Sequence, residues 1–287
     1  MTTYAPPAVG PTEHRHPPRA VVRSSARRVG ALARAEAILL RRYPMGLLNA
    51  LVVPVTMVLV VRNAAPADAP ARGTAGFTIV AALVAFSLLL AVYYNLVTAL
   101  VARREGLVLK RLRTGETSDA EILTGVATPA VAIAWAQSLA GVVAALLAFG
   151  LPAPVNPILA GAGILGGTAV FVLLATASTA ITRTVEMAQV TTMPVLLVPM
   201  VLSGLFVPLD EFPAVVQRVA DLTPLTAVLQ LLRLGLEETA PDGSAVGFAA
   251  SFGHGLSPLL VLAAWTAAAA WATRRCRCRR RMGLRLA

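Results

Sequence analysis

Six apolar stretches, at roughly 46–61, 77–101, 127–149, 157–181, 188–208 and 255–273, run without alternation and are separated by short segments that hold nearly all the charge. The ~30 Å hydrocarbon core of a bilayer is crossed by about 20 apolar residues in helical form. The first stretch is short and depends on its neighbours to cross. Continuous runs select helices, because the strands of a membrane barrel would alternate apolar and polar residues. At 57% hydrophobic residues and a mean hydropathy of +0.73, the chain lies well outside the range of a soluble domain. The fold class expected is therefore an all-α integral membrane protein with six transmembrane helices.

Orientation follows from lysine and arginine. Arg15, Arg19, Arg23, Arg27, Arg28, Arg34, Arg41 and Arg42 precede the first span, and Arg103, Arg104, Lys110, Arg111 and Arg113 lie in segment 102–126. Arg183 sits in segment 182–187, and the tail 274–287 is dense in arginine. Only Arg62, Arg72, Arg218 and Arg233 fall on the opposite side. Both termini are thus expected in the cytoplasm, which an even number of spans allows. The net charge of +11 is a product of this topology, so no nucleic-acid partner is expected; the tail should lie against anionic lipid headgroups. Residues 1–23 are proline-rich, lack the apolar core of a signal peptide and read as a disordered cytoplasmic leader. Cys276 and Cys278 are too close and too few for a zinc site and read as solvated or lipidated thiols. No metal or cofactor is expected.

Several chemistries are missing. No GxxxxGK[ST] motif occurs, and the one lysine, Lys110, lies in a cytoplasmic segment. The chain is therefore not an ATP-hydrolysing subunit. None of its 14 acidic residues lies deep in a predicted span, whereas ion-coupled carriers keep ionisable groups there. No group of carboxylates, histidines or nucleophiles converges, so no enzyme is indicated. Polar residues in or near the spans should mostly bond between helices; Asn95, Gln137, Gln189 and Ser203 are candidates to line a path. In the fourth span Gly163 and Gly167 have GxxxG spacing, which serves close helix packing within one protomer or between two.

Three connecting segments carry pattern. Residues 24–43 place Arg27, Arg34, Arg41 and Arg42 on one helical face and Val29, Leu32, Leu39, Leu40 and Tyr43 on the other, as in an interfacial helix that ends at Pro44. Glu36 falls on the apolar face, where it either snorkels to the headgroups or finds a protein partner. Segment 102–126 mixes charges, and Ser118 with Glu121 forms a capping box that opens the third span. The third segment follows the fifth span. There Asp210, Glu211, Gln217, Arg218 and Asp221 interleave with Phe212, Val215, Val216, Val219 and Leu222, punctuated by Pro208, Pro213 and Pro224. This pattern predicts a re-entrant helical hairpin over 209–227 that dips into the outer half of the bilayer. Backbone can break at that depth only where protein or a wet cavity satisfies it.

The order of these elements resembles the permease of type-2 exporters of the ATP-binding-cassette (ABC) class, over about 24–273. The residues that carry the resemblance are Arg34-Ala35-Glu36, Arg41-Arg42 and Pro44; Arg104-Glu105-Gly106, Lys110 to Thr114 and Ala120 to Gly125; and Ser203-Gly204, Pro208, Pro213, Pro224-Leu225-Thr226 and Arg233. Gly115-Glu116-Thr117 stands where the family often has a proline. The resemblance implies an elbow helix at 24–43 and a homodimer or heterodimer of permeases. It also implies a separate ATPase subunit that binds the ATP and Mg and docks on the coupling loop 102–126. Glu36, Arg103, Arg104, Glu105, Lys110, Arg111 and Arg113 are the implied coupling residues, with Glu36 turned toward Arg103, Arg104 or Arg111. Pro208, Phe212, Pro213, Val216 and Pro224 are the implied outer gate, with Phe212, Val215, Val216 and Val219 shielded from water. The function implied is export of a hydrophobic drug, natural product or lipid across a bacterial inner membrane. A membrane scaffold or immunity protein, or a carrier of another family, remains the alternative.

Overall fold

The computed structural model describes residue 56 and residues 72–105, 119–149, 151, 154–182, 184–205, 209–237 and 247–283. All regular structure among them is helical, with no strand. Helix α1 (Arg72–Phe86) passes through a π-helical segment (Ser87–Tyr94) into α2 (Asn95–Glu105). There follow α3 (Asp119–Ala148), α4 (Pro157–Ser178), α5 (Val185–Leu202), a 3₁₀ turn (Leu209–Glu211), α6 (Ala214–Asp221), α7 (Pro224–Leu236) and α8 (Phe248–Gly283).

Among the described residues, five stretches are long and apolar enough to cross a membrane: Gly76–Glu105, Leu123–Leu147, Pro157–Ser178, Val185–Leu202 and Phe248–Arg275; the bent pair α6–α7 would make six if it counts as one span. They correspond to the second through sixth predicted stretches. The first stretch, 46–61, lies outside the described residues except for residue 56, as do the elbow helix 24–43 and the leader. Boundaries shift in three places. Arg103, Arg104 and Glu105 form the last turn of α2 instead of opening a loop. The fifth span stops at Leu202, well before Pro208. Helix α8 runs on to Gly283, through most of the basic tail.

Helix starts are fixed by local chemistry. The Asn156 side chain accepts from the Leu159 amide ahead of Pro157 and donates to Ser251 Oγ at 2.9 Å, which joins the first turns of α4 and α8. Thr184 caps α5 and Thr223 caps α7, each accepting an amide three residues on. Such caps satisfy donors that a helix leaves open.

The core is built around the α1–π–α2 rod and α7. Val80, Val84, Leu88, Val92, Leu96 and Val97 are buried against α3 and α4, and Leu225, Val228, Leu231 and Leu232 against α4 and α8. Helix α7 runs back along α4. A Cβ on Gly167 would lie 2.6 Å from Val228 Cγ2, and one on Gly163 would lie 3.0 Å from Leu231 Cβ. Thus the GxxxG pair of α4 receives α7 within the same protomer. Large apolar side chains also cover the exterior: Leu147 is 83% exposed, Val190 74% and Leu260 69%. A helical body apolar both inside and out is suited to lipid.

Candidate coupling surface and outer gate

At one end of the helical body, the last turn of α2 holds the turn between α4 and α5. Arg104 Nη1 donates to the Thr179 carbonyl at 2.8 Å, and its Nη2 donates to the Thr182 carbonyl. The Glu105 carboxylate accepts from the Val185 amide at 3.1 Å. The signs suit the positions, because the cation meets the carbonyl end of α4 and the anion the amide end of α5. Each such placement contributes about 0.3–1 kcal/mol at an exposed helix end and up to about 2 where partly buried. Further bonds tie the same turn: Thr182 Oγ1 donates to the Ser178 carbonyl (3.0 Å) and meets Thr191 Oγ1 (2.8 Å), while the Tyr93 hydroxyl meets Ser178 Oγ (3.0 Å).

Of the seven expected coupling residues, the structure thus brings Arg104 and Glu105 together on one turn and leaves Arg103 half-buried beside them. Glu36, Lys110, Arg111 and Arg113 lie outside the described residues. The contacts of Arg104 and Glu105 with 179–185 are missed by sequence reasoning, since their partners are backbone groups 75 to 80 residues away and backbone carries no residue signature.

Within the helical body, α6 and α7 meet at 81°. The bend is pinned from two sides: Thr226 Oγ1 donates to the Leu202 carbonyl (3.1 Å), and Trp265 Nε1 donates to the Leu222 carbonyl (2.7 Å). Pro224 is buried as the first residue of α7, and Pro213 precedes α6 on the surface. Phe212 and Val216 are half-buried, and Pro208 lies outside the described residues. The expected shielding of Val215 and Val219 fails within the protomer. They are 73% and 50% exposed, and with Leu222 (64%) they form one outward stripe. Helix α6 buries only Ala220, with Val216 and Gln217 half-buried on either side of it, so the packed side straddles the border between its polar and apolar faces.

Gln217 and Asp221 of α6 border a cavity of about 430 Å³ between α1, the end of α5, α6 and α7, lined also by Phe77, Ser203, Gln230 and Arg233. Gln230 donates to Asp221 (2.9 Å), Gln217 to the Phe212 carbonyl (2.9 Å), and the Arg233 guanidinium lies 5.1 Å over the Phe77 ring while pairing with Glu237 at 3.3 Å. Burial pushes the Glu237 carboxyl above its ordinary value, against the opposing pull of Arg233. Of the four candidate path residues, Ser203 alone lines this cavity. Gln137 accepts from Ser87 Oγ (2.6 Å) across α3 and the π segment, whereas Asn95 and Gln189 lie on the protomer's outer surface.

No curated protein matches this chain significantly. The profile of the family described as ABC-2 type transporter matches residues 27–236, from ahead of the first predicted span to the end of α7, and so takes in both the turn held by α2 and the bend between α6 and α7. The chain is a multi-pass membrane protein of the ABC-2 type transporter family, a transport component and not itself a catalyst.

Proposed function

We propose that this chain is the permease subunit of an ABC exporter, driven by a separate ATPase subunit and paired with a second permease to enclose a path for a hydrophobic drug, natural product or lipid. The family match over 27–236 is the observation that carries this reading. The membrane is the bacterial inner membrane, with both termini cytoplasmic; the excess of arginine in the segments on one side supports this orientation. The ATPase docks on 102–126 and on the elbow helix, and its closure on ATP moves the cytoplasmic end of α2. The bend between α6 and α7 is a re-entrant hairpin and the outer gate. In support, Val228 packs against Gly167, ten residues into α4 and therefore about 15 Å along it from Pro157. Pro224, four residues before Val228 on a helix that runs antiparallel to α4, is thus about 20 Å along α4 from Pro157, a depth that suits a re-entrant segment. The outward stripe Val215, Val219 and Leu222 takes its shielding from lipid or from the second permease. Spans that carry few charges suit an apolar cargo.

The test is expression of the tagged chain together with its genomic neighbours, followed by purification in lipid. An ATPase chain should co-purify and show vanadate-sensitive hydrolysis, and vesicles should move an apolar fluorescent dye on addition of ATP. Absence of any ATPase partner, or uptake driven by an ion gradient alone, would favour a scaffold or another carrier.

A further inference from the structure

We infer that Arg104 and Glu105 are positioning residues that clamp the cytoplasmic end of α2 onto the 179–185 turn, so that a displacement of α2 moves α4 and α5 with it. This inference rests on the exporter reading and deepens it, since it names the joint through which the drive of the ATPase reaches two further spans.

Four features of the site carry it. First, the clamp has two jaws of opposite charge on adjacent residues: the guanidinium takes the Thr179 and Thr182 carbonyls, and the carboxylate takes the Val185 amide. Any slide of α2 along α4 therefore breaks at least one charge-assisted bond, and these are roughly twice as strong as neutral ones. Second, the jaws seize the only backbone between α4 and α5, so both helices are held by one grip. Third, the grip is stiff. Thr182 bonds to Ser178 and to Thr191 in α5, and Tyr93 reaches Ser178 from the π segment, a second point of attachment on the same rod. Fourth, the seam between the rod and these two helices is built on buried apolar side chains. The rod packs on α4 and α5 through Leu96, Val97, Leu100 and Val101, apolar contacts that resist separation but not sliding. A polar clamp at the end of an apolar seam converts a sliding contact into a rigid joint.

The experiment uses the full chain with its co-purified ATPase in lipid nanodiscs and reads backbone hydrogen exchange of 179–190 with and without ATP plus vanadate. Variants are Arg104→Ala, Glu105→Ala and the milder Arg104→Lys and Glu105→Gln; the last keeps an acceptor oxygen for the Val185 amide. In the unmodified complex vanadate trapping should change exchange in this segment. Both alanine variants should raise basal exchange there by about tenfold, abolish the vanadate response and lower the amount of dye moved per ATP hydrolysed. Glu105→Gln should restore much of the protection, and Arg104→Lys little, because an ammonium does not span two carbonyls as the planar fork does. Unchanged exchange in both alanine variants overturns the clamp. Raised exchange with the vanadate response intact overturns its role in transmission. Failure of any ATPase to co-purify or to respond to vanadate is instead a failure of the exporter reading. Should an alanine variant not fold, the Lys and Gln pair still orders the outcomes.

Discussion

The Trp265 indole nitrogen donates to the Leu222 carbonyl at 2.7 Å, which fastens α8 to the bend between α6 and α7. A helix end at this bend leaves carbonyls without helical partners, and in lipid no water replaces a lost donor. Trp265→Phe keeps the ring but removes the donor. The bend should loosen by about 1 kcal/mol, seen as roughly fivefold faster hydrogen exchange over 214–225 with little change in α4. Equal protection in both proteins would show that the bend is held by Thr226 and packing alone.

Close approach of α7 to the first turn of α4 sets a second expectation. A Cβ on Gly235 would meet the Ala160 amide nitrogen at 2.7 Å and the Asn156 carbonyl at 2.8 Å, whereas one on Gly161 would meet nothing within 4 Å. Backbone atoms cannot rotate away as a side chain can. Gly235→Ala should therefore destabilise by about 1–3 kcal/mol or more, and Gly161→Ala should be neutral or mildly stabilising through helix propensity. Thermal unfolding in detergent compares the two; similar midpoints would mean that α7 does not sit so close.

How far the sequence anticipates this structure depends on what each feature is made of. The second to sixth spans are legible because burial in lipid demands a side-chain pattern, and Gly163 and Gly167 because small side chains are the means of close packing. The bend was legible through Pro213, Pro224 and the amphipathic run between them. What escaped is backbone chemistry: the carbonyls of Thr179, Thr182 and Leu222 give no sign in the sequence that Arg104 and Trp265 will reach them. The side facing of α6 escaped as well. Helical periodicity separates its valines from Gln217 and Asp221, but it is silent on which side meets protein, and here that side is centred on Ala220, between Val216 and Gln217.

Topology can be read directly. In a background lacking Cys276 and Cys278, single cysteines at positions 20, 115 and 280 should react with an impermeant reagent only after the membrane is opened, and those at 68 and 242 in intact cells. With that orientation Trp271, on whose ring Arg275 stacks at 4.3 Å, should lie at the cytoplasmic headgroups. Labelling of position 115 from outside would invert the whole arrangement.

If the bend is the outer gate, its half-buried valine should not tolerate charge. Val216→Asp places a carboxylate on the half-buried side of α6, at a cost unless the side chain finds water. Export of dye should fall by at least tenfold while the ATPase still co-purifies. Full export by this variant would place the gate elsewhere.

Glu237 supplies a prediction with a definite sign. Burial raises its carboxyl pKa in the folded protein even though Arg233 lies 3.3 Å away. The folded state therefore holds the proton more tightly than the unfolded chain does, and stability from this group is full below the unfolded carboxylate value and declines as pH rises through the folded value. Glu237→Gln has no proton to lose. Its melting temperature should exceed that of the unmodified protein most at alkaline pH, and the gap should close as pH falls toward the carboxylate range. Arg233 opposes this trend, and its guanidinium also packs on Phe77. Arg233→Met, which keeps length and removes the charge, should widen the gap in the Glu237 background. A gap that is flat with pH, or that grows on acidification, would mean that the pairing with Arg233 outweighs the burial of Glu237.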